Sequence, residues 1–361
     1  MTSRWILVGS LMASLAWGST LQAAEADREA LVAKAVNFLR SRQDEEGAYS
    51  KETGPAVTAL VATALLKQGR TTADPMVDKA VKYVLKFVRD DGGIYRDGSS
   101  HKNYETCIAI LCLTEANQKG QYDAILKKAD GFLKGIQWDE AEDQKPSDPA
   151  FGGAGYGSHR RPDLSNTSFL IDALKATGNT AEDDAMKKAL VFVSRCQNLE
   201  SEYNNTPFAA KNPDGGFYYT PAAGGTSQAG TLPNGGLRSY ASMTYAGLKS
   251  MIYCGVDKDD PRVEAAVNWI KKNYGLDDNP VIGASGLSYY YHTFAKALDA
   301  MGVDTFADAD GKEHNWRQEL VAALAQRQQN DGSWINENAR WMEGNPDLVT
   351  GYVLLALSYC K

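Results

Sequence analysis

Gln326-Arg327-Gln328-Gln329-Asn330-Asp331-Gly332-Ser333-Trp334 decides the fold, because five other loops repeat its pairing of glycine with an aromatic. They are Gly47-Ala48-Tyr49, Gly92-Gly93-Ile94-Tyr95, Gly152-Gly153-Ala154-Gly155-Tyr156, Gly215-Gly216-Phe217-Tyr218 and Gly286-Leu287-Ser288-Tyr289. Equivalent glycines recur every 46 to 70 residues or so, the mark of a repeat architecture with loops of variable length. After each loop comes an apolar run of fixed length. Thr58 to Gly69, Thr106 to Asn117, Thr167 to Gly178 and Thr244 to Gly255 all span the same interval. Tyr291 to Gly302 keeps it with tyrosine for threonine, and Thr350 keeps it to Lys361. Ala, Leu, Ile, Val and Met fill these runs, which predicts helices buried on most of their circumference. Gly or Asn at the end is a helix stop.

Before each loop lies an amphipathic run. Val32, Ala35, Val36 and Leu39 are spaced three and four residues apart. So are Val77, Ala80, Val81, Val84 and Leu85, and Val263, Ala266, Val267 and Ile270. Each such helix faces a core on one side and water on the other. Six buried and six half-buried helices in alternation satisfy both patterns if they close into a ring with the buried set inside. The expected fold is an all-α toroid, an α6–α6 barrel over residues 24–361. An open stack would need a polar capping repeat at its end, and the last run is apolar to Cys360.

The chain has 361 residues, with 38 Lys+Arg against 45 Asp+Glu and a net charge of −7. That balance excludes a nucleic-acid partner, which needs a basic footprint. Residues 1–23 read as a secretory signal: Arg4, an apolar core from Trp5 to Trp17, and small residues ending at Ala23-Ala24. The expected location is therefore periplasmic or secreted, with no membrane span after cleavage. Cys107, Cys112, Cys196, Cys254 and Cys360 form no C-x-x-C pair and no disulfide framework. Buried free thiols are expected.

The stretch 326–334 resembles the Q-x-x-x-G-x-W repeat of squalene–hopene cyclases and protein prenyltransferase β subunits. Gln43 with Gly47 and Tyr49 is a weaker copy, and Asp214-Gly215-Gly216-Phe217 and Gly235-Gly236-Leu237-Arg238 look like glycine loops of that superfamily. The resemblance implies a terpenoid-cyclase-like toroid whose loops feed the N-terminal ends of inner helices around a central cavity. The family's acid motif D-x-D-D-T corresponds to Asp163-Leu164-Ser165-Asn166-Thr167, where Ser165 stands in place of the acid. A serine hydroxyl cannot protonate an alkene. The prenyltransferase zinc ligands are unmatched around Gly235 to Met243, and His292 has no sequence partners there. Neither a metal nor a cofactor is implied, since zinc needs at least three protein ligands.

Two local motifs are decoys. Asp257-Lys258-Asp259-Asp260 matches D-x-D-D, but Pro261 follows, as Pro75 follows Asp74, and this is helix capping. Asp308-Ala309-Asp310-Gly311 suggests a calcium loop, yet an EF-hand register puts Phe306 and Arg317 at ligand positions. A surface turn is expected there.

A mouth lined by the starts of the inner helices collects the candidate site. Glu105, Asp163 and His292 are the candidate proton donors. Tyr104, Asn166, Arg238, Tyr240, Tyr290, Tyr291, Trp334, Trp341 and Asp347 are the candidate ligand-binding residues. Aromatic walls with a few polar groups suit a small molecule. Each residue also has a structural role open to it: caps for Asp163 and Asp347, packing for the tyrosines, backbone bonds for the threonines. Three functions remain. The first is proton-initiated chemistry on an apolar, isoprenoid-like substrate. The second is non-catalytic binding of a lipid, cofactor or peptide. The third is a polysaccharide lyase or hydrolase using Arg238 with Arg160 and Arg161, against which the overall acidity counts. No protein partner is indicated.

Overall fold

The computed structural model describes residues 27–157 and 161–361. The expected export signal at 1–23, and His159 and Arg160, lie outside these residues. Twelve helices alternate along the described chain. The outer set is α1 (27–42), α3 (Pro75–Leu85), α5 (Asp123–Lys134), α7 (Asp184–Arg195), α9 (Pro261–Lys272) and α11 (Trp316–Ala325). The inner set is α2 (Pro55–Lys67), α4 (Lys102–Ala116), α6 (Leu164–Ala176), α8 (Ala241–Tyr253), α10 (Leu287–Met301) and α12 (Pro346–Ser358).

The inner helices form a closed ring. Each packs on the next, and α12 returns to pack on α2. Gly351 makes that closure possible, since a Cβ there would lie 2.4 Å from a methyl of Leu60. Burial follows the sequence pattern. Every residue from Pro55 to Leu66 is buried in α2, whereas α3 buries Met76, Val77, Ala80, Val81, Tyr83 and Val84 and leaves its other face to water. Asp74 and Asp260 cap α3 and α9, accepting from the amides of Met76 and Arg262.

The repeat has a hydrogen-bond logic. In five loops the threonine hydroxyl of the inner helix accepts the amide two residues after the glycine. The pairs are Tyr49 to Thr58, Ile94 to Thr106, Ala154 to Thr167, Phe217 to Thr244 and Trp334 to Thr350, at 2.9–3.1 Å. A glutamine amide then ties each of four loops to the start of the next outer helix. Gln328 donates to the carbonyls of Gly332 and Leu31, stitching the last loop to α1. Gln43, Gln137 and Gln197 do the same in their repeats. Gly332 has φ +91°, and a Cβ there would lie 2.5 Å from the Lys34 carbonyl, so no other residue fits. The same close approach recurs at Gly47, Gly92, Gly152 and Gly215.

Among the described residues the one two-stranded sheet is the antiparallel ladder of β1 (Phe306–Ala307) with β2 (Glu313–His314). The Asp308 turn joins these strands, its carboxylate accepting from the amides of Asp310 and Lys312. Cys107, Cys112, Cys196 and Cys254 are buried free thiols, and Cys360 is free and half-buried. Among the described residues no helix is long and apolar enough to cross a membrane.

Candidate functional site

The interior of the ring holds a chamber of about 190 Å³ among the C-terminal halves of the inner helices. Its walls include Thr63 of α2, Thr114 of α4, Phe169 and Asp172 of α6, Tyr253 of α8, His292 and Lys296 of α10, and Tyr359 just past α12. Lys67 and Glu115, paired at 2.6 Å, stand at its rim with Lys175. This is the end of the barrel opposite the one expected from sequence.

A buried ionic trio lies behind the chamber. Asp172 accepts from Lys249 at 2.6 Å and from Lys296 at 2.7 Å. The side chains of Asp172 and Lys249 are 4% and 3% exposed, and that of Lys296 is 11% exposed. Lys249 also donates to the Ser168 carbonyl. Burial alone would raise the Asp172 carboxyl, but the two lysines outweigh it and hold it below its ordinary range. Burial, helped by the charge of Lys296, pushes Lys249 down to about 8. Lys296 goes the other way, because attraction to Asp172 overcomes its desolvation. His292 is pushed down to about 3, by burial first and the nearby lysines second, so it is neutral at physiological pH. Among the described residues lining the chamber, Lys67, Lys175 and Lys296 stand against Glu115 and Asp172, with Lys249 behind Asp172. The chamber is cationic inside an acidic protein. Two buried polar atoms of its wall, His292 Nδ1 and Thr114 Oγ1, have no hydrogen-bond partner.

An aromatic layer separates the chamber from the N-terminal ends of the inner helices. Tyr104 of α4 meets Phe169 of α6 edge-on at 5.2 Å. Phe169 meets Tyr289 of α10 at 6.1 Å, and Tyr289 meets Tyr352 of α12 at 6.0 Å. A hydroxyl–hydroxyl bond of 2.9 Å between Tyr104 and Tyr352 closes the circuit across the ring. Four of the six inner helices contribute to it.

Above this layer lies Asp163, the N-cap of α6. It accepts from the Asn166 amide, the Asn166 side chain and the Tyr219 hydroxyl. Burial pushes it up to about 6 against those bonds. Ser165 donates to the Tyr289 hydroxyl at 3.2 Å.

The structure disperses the other sequence candidates. Glu105 is buried but turned away from the chamber, bracing the amide of Arg96 and the hydroxyl of Ser99. Asp347 pairs with Arg42 at 3.0 Å and Ser50 at 2.8 Å, beneath an outer groove of about 630 Å³. Asn345, not Asp347, caps α12. Tyr290 and Tyr291 donate to the carbonyls of Gly275 and Leu276 and so fasten a loop. Trp334 is core, its indole donating to the Leu324 carbonyl. Trp341 is 43% exposed and stacks under Arg340. Arg238 is exposed, and Tyr240 is buried at the start of α8. Only Tyr104 and His292 border the chamber or its aromatic layer, and Asp163 and Asn166 stand together above it. Sequence reasoning missed Phe169, Asp172, Lys249, Tyr289, Lys296 and Tyr352. The available signal was a charge at mid-helix in three otherwise apolar runs.

Among the described residues no group of three or more His, Cys, Asp or Glu side chains is placed to hold a metal ion. A search of curated proteins finds no match. Among solved structures, a single-residue variant of the type II terpene cyclase MstE from Scytonema, without ligand, is similar at 14% identity. It has TM-score 0.57, over 94% of this chain and 98% of that one. Another MstE variant, in complex with its substrate geranylgeranyl dihydroxybenzoate, gives 13% identity and TM-score 0.55 over the same shares. The parent MstE gives 14% and 0.53, over 92% of this chain and 97% of that one. At these identities the likeness is one of fold. The prenyltransferase alpha-alpha toroid domain family matches residues 8–129, and the squalene-hopene cyclase C-terminal domain family matches residues 102–349. The second match spans more than half of a chain that closes as an α/α ring, and the chain belongs to the squalene-hopene cyclase C-terminal domain family.

Proposed function

We propose that this toroid binds a small molecule inside its ring and does not cyclise a polyene. The observation that carries this is the occupancy of the ring centre. The aromatic layer and the Asp172–Lys249–Lys296 trio occupy the middle of the ring, and the chamber beside them measures about 190 Å³. An engineered cavity of about 150 Å³ holds benzene, so this chamber suits one ring with a short substituent, not a polyprenyl chain. Charge supports the same reading. Proton-initiated cyclisation builds a carbocation, and buried ammonium groups nearby raise its energy. Ser165 offers no acid.

Asp163 favours a second reading, acid catalysis above the aromatic layer, because its carboxyl is held up to about 6. Incubation with squalene and with geranylgeraniol, followed by gas chromatography and mass spectrometry, separates the two. The binding reading predicts unchanged substrate. A cyclised product that disappears in Asp163→Asn would replace it with catalysis. Export, read from residues 1–23, belongs to this proposal as the compartment in which the ligand is met.

A further inference from the structure

The chamber has a charge to satisfy as well as a volume to fill. Asp172 shares one negative charge between two lysines, and both remain largely protonated at neutral pH. The ammonium of Lys296 donates to Asp172 Oδ2 and lines the chamber. An ammonium carries three donors, so Lys296 keeps donor capacity beyond its bond to Asp172. At the rim, Glu115 is already neutralised by Lys67, so Lys175 adds a further cation. Low-dielectric walls focus the field of such groups on whatever enters. Beside them stand the unpartnered His292 Nδ1 and Thr114 Oγ1. His292 is 6% exposed, neutral, and borders both the chamber and the small void next to Lys249. A neutral imidazole and a hydroxyl can each donate or accept one more bond. Phe169 and Tyr359 supply apolar wall.

Building on the binding reading above, we infer that the ligand is a small carboxylate with a compact apolar body. Its anionic group is held by Lys296, and its body lies against Phe169 and Tyr359. A carboxylate there completes the trio as a balanced pair of anions and pair of cations. His292 and Thr114 serve the polar edge of the ligand. Charge-assisted bonds in a desolvated pocket are the strong ones, so the anion supplies the selectivity and the apolar body the fit.

Isothermal titration tests this with three probes of one shape: cyclohexanecarboxylate, its carboxamide and cyclohexylmethylammonium. We expect the carboxylate to bind at least about ten-fold tighter than the amide, the equivalent of roughly 1.4 kcal/mol, with no detectable binding of the ammonium. Lys296→Met should erase the preference while leaving Asp172 paired with Lys249. Lys175→Met, at an exposed rim position, should reduce it in part and provides a second variant if the first fails to fold. Equal binding of carboxylate and amide, or a preference unchanged in both variants, would overturn the inference and leave the binding reading standing. No binding of any probe up to 10 mM would overturn both.

Discussion

Replacing Asp172 by asparagine removes the carboxylate that two buried ammonium groups share at 2.6 and 2.7 Å. The amide keeps the shape and loses the charge. Breaking a buried pair by deleting one partner costs about 3–5 kcal/mol, because the remaining charge is left without compensation. Unfolding entropy of about 2.1 cal/mol/K per residue over roughly 330 folded residues gives about 0.7 kcal/mol per degree. Asp172→Asn should therefore lower the Tm by about 4–7 °C. Lys296→Met leaves the Asp172–Lys249 pair intact and should shift the Tm by no more than about 2 °C, less than the loss of a shared carboxylate. The double variant should recover part of what Asp172→Asn loses. The deficit should also depend on pH with a definite sign. Without Asp172 both lysines have folded-state pKa values below their unfolded ones, so the unfolded state binds more protons in alkaline solution and folded stability rises with pH. The gap to wild type should narrow between pH 7 and 10. Differential scanning calorimetry at both pH values measures it. A loss under 1 °C, or a gap that widens at pH 10, would refute the idea that the trio is a buried, coupled ionic unit.

Three further expectations can be checked directly. Gly332→Ala places a Cβ against the Lys34 carbonyl at positive φ; left-handed strain of about 1–2 kcal/mol and overpacking of about 1–3 kcal/mol should reduce stability by 2 kcal/mol or more in urea unfolding. His292 resists protonation when folded, so wild-type stability that is present above pH 6.5 is lost as pH falls toward 3. His292→Gln lacks that slope, and the wild-type advantage should shrink by about 1.6 kcal/mol between pH 6.5 and 5; Asp163, which loses stability as pH rises through its own range, contributes equally to both proteins and cancels. The exported protein should have an intact mass beginning at Ala24, and a mass retaining residues 1–23 would contradict the signal reading.

The fold was legible because its repeat is enforced by short-range chemistry. The threonine that accepts a loop amide and the glycine that touches the next outer helix recur in five of the six units, and both are visible as spacings. The chamber was not, because it is assembled from single residues far apart in sequence. Asp172 meets Lys249 across 77 residues and Lys296 across 124. Each reads in isolation as one charge in an apolar run. Three consecutive tyrosines hid the register of α10. Tyr289, His292 and Lys296 share one helical face toward the ring, while Tyr290 and Tyr291 turn outward to backbone carbonyls. Trp334 looked like cavity wall because aromatics line ligand sites, yet its position two residues after the glycine directs it into the packing between α11 and α12.

On this reading the ring holds a small anion-bearing molecule unchanged. Native mass spectrometry of protein purified without denaturation tests it most directly, with wild type and Lys296→Met compared. The account predicts a one-to-one adduct of about 200 Da or less, the size a chamber little larger than a benzene site can enclose. It should be released as an anion and be absent from the variant. A polyprenyl compound or its cyclised isomer in the wild-type ring, or an adduct equally retained by Lys296→Met, would contradict it.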